Sequence, residues 1–332
     1  MKTASAGFVV LLLAACQSPQ DLPALPEPGD PRPPPGPEAI SLLGEPLDAP
    51  ELPPEVRAKR EAELEAARAA LELHPEGRDE LVWYGRRLAY LGRYREAIDV
   101  FTRGIALHPD DPRFYRHRGH RWITLRRFDR AVEDLERAAR LVRGRPDEPE
   151  PAGLPNERGV VIDTLNHGVY YHLGLARYLR GEFETSLQSW RECAQWSKNP
   201  DALCSVTHWW YMTLRRLGRE DEARAVLEPI RADLDVVEYH AYHRLCLAYR
   251  GEVSFDALWD ELQAGDHAST DFATIGYGVA NWQFYNGRTR LAADMFRTVA
   301  QAPMWPAFGR IAAEAEVARL DAAAGAGTSG AR

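Results

Sequence analysis

The chain has 332 residues, 45% of them hydrophobic and 27% charged, with a formal net charge of −8. That length suits one elongated domain with extensions, and the acid excess argues against a nucleic-acid partner, whose phosphates call for a basic surface. Thirteen of the 24 prolines lie between Gln17 and Pro54, so proline marks one segment and not the fold.

Residues 1–15 read as a signal peptide: Lys2 supplies the positive start, Phe8 to Leu13 the apolar run, and Leu13-Ala14-Ala15-Cys16 the small-residue cleavage site. The apolar run is too short to span a bilayer. Leu-Ala-Ala-Cys resembles a bacterial lipoprotein box, which implies cleavage before Cys16, acylation of that cysteine, and membrane contact through the lipid anchor only. A plain secretory peptide with an incidental cysteine and an uncleaved anchor are the alternatives. Gln17 is not the aspartate associated with inner-membrane retention, so by family analogy the expected place is the outer membrane, facing the periplasm. Residues 16–54 come next as lipidated cysteine and proline-rich tether, where proline removes donors and fixes φ, which predicts neither helix nor strand ladder. In an extended polyproline regime such a segment reaches roughly 100 Å.

From Pro54 to Leu73 a charged helix carries Leu64, Ala67 and Leu71 on one face and is expected to cap the array of helices C-terminal to it. Then a period appears. Leu81-x2-Tyr84-Gly85-x2-Leu88, Ala97-x3-Phe101 and Pro109 are echoed 34 residues later by Tyr115-x2-Arg118-Gly119-x2-Trp122 and Ala131-x3-Leu135. Small residues at 85, 97, 119 and 131 let paired helices approach closely, and the apolar stripe must be buried by stacking pairs. The pattern resembles the tetratricopeptide repeat (TPR) family at identical spacing. The resemblance implies an all-α, right-handed superhelix, an α-solenoid with a concave binding face.

Residues 144–159, with Pro146, Pro149, Pro151 and Pro155, break the period and read as an insertion loop, either a spacer or part of a partner site. The frame resumes at Tyr170-x2-Leu173-Gly174 and Ser186-x3-Trp190. Ala223, Ala257 and Ala292 then take the alanine position, and Gly181, Gly218, Gly251 and Gly287 the inter-helix turn. Tyr211 and Arg244 stand where a small residue is usual, which weakens the frame there. The expectation is six helix pairs with caps over residues 55–321, a last helix from Ala307 to Leu320, and a disordered tail at 322–332.

Little in the sequence points to catalysis. There is no phosphate loop, no G-x-S-x-G elbow and no dinucleotide fingerprint, so no catalytic residue and no cofactor are assigned. His117 with His120, and His240 with His243, share helix faces at i, i+3, but no carboxylate or cysteine stands at ligand spacing and no metal site is assigned. Cys193, Cys204 and Cys246 remain after Cys16; a Cys193–Cys204 disulfide is one reading, three buried thiols the other.

In TPR proteins the concave face is lined by first-helix positions 2, 5, 9, 12 and 13. Counting from Arg78, Pro112, His167, Cys204, Val237 and Ala273 gives Arg86, Tyr90, Arg113, Arg116, His120, Tyr171, Tyr178, His208, Arg215, Arg216, Tyr249, Tyr277, Asn281, Phe284 and Tyr285. The resemblance therefore implies a basic, aromatic groove for a protein or peptide partner with an acidic segment or carboxylate terminus. It implies a non-catalytic, membrane-anchored scaffold or adaptor of the bacterial envelope; a periplasmic enzyme or solute-binding protein is the alternative. A long open groove would favour the first, a deep pocket with convergent titratable groups the second.

Overall fold

The computed structural model describes residues 36–151 and 153–329; the signal peptide, Cys16 and the tether up to residue 35 lie outside the described residues. Helix α1 (Pro54–Leu73) begins on a proline whose missing N–H costs nothing at that position, and it buries Leu71 against the first pair. Among the described residues six helix pairs come after it. They are α2 (Arg78–Tyr90) with α3 (Tyr94–Leu107), α4 (Pro112–Thr124) with α5 (Phe128–Val142), α6 (Leu165–Leu179) with α7 (Phe183–Trp196), α8 (Pro200–Arg216) with α9 (Glu220–Val226), α10 (His240–Tyr249) with α11 (Phe255–Ala264), and α12 (Thr270–Tyr285) with α13 (Thr289–Ala300). Helix α14 (Phe308–Ser329) ends the chain. This is the expected all-α solenoid with caps.

The crossing inside each pair is set by the small residues. A Cβ at Gly85 would lie 2.4 Å from the Phe101 ring, and one at Gly119 would lie 2.7 Å from Leu135. Ala131 faces the same crossing with no exposed surface. Overpacking typically costs about 1–3 kcal/mol, so Ala131→Leu is expected to lower the melting temperature well below that of Ala324→Leu, which changes an exposed site on α14. Equal melting points for the two variants would contradict the register.

In all six pairs the first helix stops in the same turn. Gly92 N–H donates to the Ala89 carbonyl (3.1 Å) and Arg93 N–H to the Leu88 carbonyl (3.1 Å), a pattern that needs a left-handed residue after the helix. Glycine fills that place at 92, 181, 218, 251 and 287, each with φ near +80°. The second repeat differs: Arg126 takes the position at φ 60°. Its turn bonds are intact, with Arg126 N–H on the Ile123 carbonyl (3.0 Å) and Arg127 N–H on the Trp122 carbonyl (2.8 Å).

Several expectations are corrected. The tether does not run to Pro54. Residues 39–47 form a small antiparallel hairpin, β1 (Ala39–Ile40) with β2 (Pro46–Leu47), and two-residue strands need so few ladder bonds that the prolines around them do no harm. The hairpin is docked: Glu38 accepts the Arg95 backbone N–H (3.0 Å), and the Asp48 carbonyl accepts the Trp305 indole N–H (2.7 Å). The insertion extends to Thr164, whose bridge with Pro149 folds it back on itself. The stretch expected as a disordered tail continues α14 as helix through Ser329, since Ala322 to Ala324 favour helix. In the fifth repeat the frame slips by one: Ala257 is exposed and Leu258 is buried in its place. That pair contains Arg244, which reaches outward to Glu261 (2.5 Å) where a small residue would have admitted a close crossing. Cys193, Cys204 and Cys246 are free, buried thiols, and the Cys193–Cys204 disulfide is not formed. The Cys193 thiol points at the His167 carbonyl and Cys246 at the Cys204 carbonyl, each 3.6 Å away.

The concave side is not an open groove. Helix α14 crosses it and packs on α12 and α6, and the insertion covers the part beside α2 and α4. Glu314 on α14, fully buried, joins the ends of the solenoid: its carboxylate accepts Arg126 Nε (3.0 Å) and Nη2 (2.6 Å), Arg310 Nε (3.2 Å) and the backbone N–H of Leu42 (3.2 Å). Arg126 Nη2 also donates to the Trp305 carbonyl (3.0 Å). Among the described residues no helix is long and apolar enough to cross a membrane.

Candidate ligand chamber inside the superhelix

Enclosing the concave side leaves two joined spaces. The smaller, about 210 Å³, lies between α2, α4 and the insertion and is lined by Arg86, Tyr90, Arg116, His120, Arg121, Glu150, Leu154 and Asp163, among others. The larger, about 540 Å³, lies between α4, α6, α10, α12 and the start of α14; His167, Tyr171, His172, Tyr239, Tyr242 and Phe308 line it, with Glu238, Thr270 and Asp271 at its exposed rim. Arg116, His120 and Asp163 belong to both.

The insertion builds one wall. Arg86 Nη2 donates to the Pro151 carbonyl (2.8 Å) and Arg87 Nη1 to the Gly153 carbonyl (2.8 Å). Glu150 is thereby carried inward, 3.3 Å from Arg116 Nη2 and 3.1 Å from His117 Nε2. Burial alone would raise the Glu150 carboxyl, but Arg116 and His117 outweigh it and hold it far below the ordinary carboxylate range. Arg116 Nη1 lies 3.1 Å from His117 Nδ1, which assigns the neutral ring's proton to Nε2, facing Glu150. Burial and the Arg116 charge push the His117 pKa down to about 3. Gly168 on α6 completes the cradle, because a Cβ there would lie 2.8 Å from Arg116 Nε.

The other polar groups are less satisfied. Arg116 Nε and both ring nitrogens of His167 are buried without a hydrogen-bond partner among the described residues. Burial, then the Arg116 charge, lowers His167 to about 4. The His120 and His172 rings lie 4.3 Å apart, both also near Phe308, and burial drives both far below the usual imidazole range. Arg121 has its guanidinium over the Tyr94 ring (5.3 Å); burial, helped by Arg116 and Arg86, lowers it to about 10, and no carboxylate among the described residues pairs with it. Asp163 accepts the Tyr239 hydroxyl (3.1 Å) and lies 3.6 Å from His167 Nδ1; burial raises it despite nearby Arg116.

Of the fifteen residues assigned to the groove, the chamber takes Arg86, Tyr90, Arg116, His120 and Tyr171. The rest are engaged elsewhere. Arg113 sits at the mouth of α4 between Asp111 (2.7 Å) and Asp79 (2.5 Å). Tyr178, Tyr277, Asn281 and Arg216 form a buried network against α14, in which the Tyr178 hydroxyl accepts from Tyr277 (2.8 Å) and Asn281 (2.9 Å), and Arg216 pairs with Glu316 (2.9 Å). Phe284 lies against the same guanidinium, 4.6 Å away. His208 Nδ1 is 3.1 Å from the Tyr249 hydroxyl, and Arg215 stacks on Tyr285 and reaches Asn286 (3.0 Å). The acidic partners that the open groove was to recruit are the chain's own Glu150 and Glu316. Sequence counting missed Glu150, Asp163 and Phe308, because the insertion and α14 lie outside the repeat frame, and it missed Arg121, His167, His172, Tyr239 and Tyr242, because they stand at frame positions other than 2, 5, 9, 12 and 13. His240 is exposed, His243 bonds the Arg231 carbonyl (2.8 Å), and no three potential metal ligands converge among the described residues.

Residues 78–120 match the sequence profile of the tetratricopeptide repeat. Over these residues the chain carries a tetratricopeptide repeat, and the helix pairs stacked around it form a solenoid of the TPR type. Among solved structures the chain is similar to YrrB, a TPR protein with an unusual peptide-binding site, at 14% identity and a TM-score of 0.41 over 72% of this chain and 93% of that one. It is also similar to Naa15/Naa10 bound to HypK-THB, at 17% identity and a TM-score of 0.35 over 76% of this chain and 36% of the other. No curated protein matches its sequence. The TPR fold is a scaffold for protein–protein interaction, its stacked pairs presenting extended surfaces to a partner.

Proposed function

We propose that this TPR protein is a non-catalytic binding scaffold of a bacterial envelope, held by a lipid on Cys16 at the outer membrane and facing the periplasm. Its protein or peptide partner docks where the insertion meets the chamber mouth. An extended acidic peptide lying along the superhelix is not the ligand, since α14 and Glu150 already occupy that path. The observation that carries the reading is the surface of the insertion. Leu154, Val160 and Val161 are three of the few large hydrophobic side chains left exposed among the described residues, and all three lie on the insertion, Val160 tied through Asn156 to Glu238 at the rim. Asn156 and Arg158 fasten this loop to Glu238 (2.7 Å) and Asp235 (2.8 Å), so the apolar surface is presented in a fixed place.

Two variants test the two halves of the reading. Cys16→Ser is expected to abolish palmitate incorporation; unchanged labelling would remove the anchor. Val160→Asp with Val161→Asp changes only exposed positions and is expected to cut crosslinked capture of a protein partner from the native envelope at least tenfold, with melting unchanged. Undiminished capture by the folded double variant would move the partner elsewhere.

A second reading, a solute-binding protein, is favoured by the partly enclosed chamber, whose lining brings together Arg121, Asp163 and several buried histidines.

A further inference from the structure

We propose that the chamber is a binding site for a small zwitterion, an α-amino acid with a large apolar side chain. It rests on the solute-binding reading and not on the protein-docking one. The 210 Å³ compartment holds opposite charges that the protein leaves without a full salt bridge: Arg121 has no carboxylate partner among the described residues, and Asp163, with Arg116 near but not bonded to it, has as direct side-chain partners there only the Tyr239 hydroxyl and the weakly basic His167. A ligand with a single charge would meet one of these groups and leave the other uncompensated in a sheltered site, which is costly. An amino-acid head group meets both. Its carboxylate faces Arg121, and its ammonium faces Asp163, whose orientation is fixed by the Tyr239 hydroxyl.

The larger compartment supplies the rest. It opens from the shared wall of Arg116, His120 and Asp163, and its sides are the rings of Tyr171, Tyr242 and Phe308. The Tyr171 hydroxyl is already bonded to Trp209 Nε1 (2.8 Å) and to Tyr242 (3.0 Å), so these rings offer apolar faces and not free donors. At about 540 Å³ the space admits a phenylalanine or leucine side chain with water to spare.

The test uses the purified full-length protein and titration calorimetry with L-phenylalanine, L-leucine, phenethylamine and 3-phenylpropanoate. L-phenylalanine or L-leucine is expected to bind, and at least one of them more than tenfold more tightly than either singly charged analogue. Asp163→Asn and Arg121→Gln are each expected to weaken that binding at least tenfold, while Leu291→Gln on the exposed face of α13 leaves it unchanged. The comparison of analogues needs no variant, so it stands if a substitution disturbs folding. Binding of an analogue as tight as that of the amino acid, or no binding by any of the four, overturns the proposal. Partner capture that still depends on Val160 and Val161 would then show that the scaffold reading survives without it.

Discussion

Replacing Glu314 by alanine is expected to destabilise the protein more than any surface change. The substitution leaves Arg126 and Arg310 buried without their shared carboxylate, and removing one member of a buried ion pair costs about 3–5 kcal/mol. Urea unfolding followed by tryptophan fluorescence would measure it, since Trp305 stacks under the Arg126 guanidinium at 5.2 Å. Arg126 offers a test of sign on the same ion-pair cluster. Its left-handed backbone costs roughly 1–2 kcal/mol for a residue with a Cβ, so Arg126→Gly relieves strain while losing the ion pair, and Arg126→Ala loses the pair and keeps the strain. Both variants are expected to be less stable than the wild type, and the glycine variant the more stable of the two by about 1 kcal/mol. A wild-type-like midpoint for Glu314→Ala would mean that α14 is not held at this point.

Acid is expected to unfold the protein well above the usual carboxylate range. His117, His120, His167, His172 and His208 are held neutral chiefly by burial, with values of about 3 for His117 and His208 and about 4 for His167. In the unfolded chain each titrates near 6.5. The unfolded state therefore takes up protons below about pH 6.5 that the folded state refuses, so stability is complete above that pH and is lost as pH falls toward 4. Each such histidine contributes up to about 1.4 kcal/mol per pH unit in that window. Glu150, held low in the folded state, adds a loss in the same direction at lower pH, while Asp163, raised by burial, opposes it. His208 isolates the effect, because burial alone shifts it. The wild type is expected to lose several kcal/mol between pH 6.5 and 4.5, and His208→Gln to show a slope shallower by about 1.4 kcal/mol per unit. A flat profile through that window would contradict neutral burial of these rings.

The repeats were legible because their determinants are local. Gly85 and Gly119 mark the crossings, Ala97 and Ala131 the second helices, and the turn glycines the boundaries, all within one 34-residue frame. The chamber was not legible, because the parts that build it are non-local. Arg126 and Glu314 are 188 positions apart, and Tyr178 meets Tyr277 across 99. Position counting assigned Arg216 and Tyr277 to the groove, yet could not see that α14 packs against them. Glu150 sits in a proline-rich insertion whose composition suggests a spacer, and only its backbone carbonyls, held by Arg86 and Arg87, turn it inward. One signal was available. Arg126 stands where the turn glycine of the preceding repeat, Gly92, sits 34 residues earlier, and a charged side chain accepting a left-handed backbone marks a place where something else is gained.

This solenoid is closed by its own last helix, which turns a groove into a chamber. Hydrogen exchange of the backbone amides of residues 311–317 measures that closure directly. These residues are buried on α14, with Ile311, Ala312, Ala313, Ala315 and Val317 packed in the core. Protection as strong as that of α6 and α12 is the expected result, opening only when the whole domain unfolds. Exchange of 311–317 as fast as in the exposed stretch at 321–324 would mean that α14 lies free of the concave face, and the open-groove reading would return.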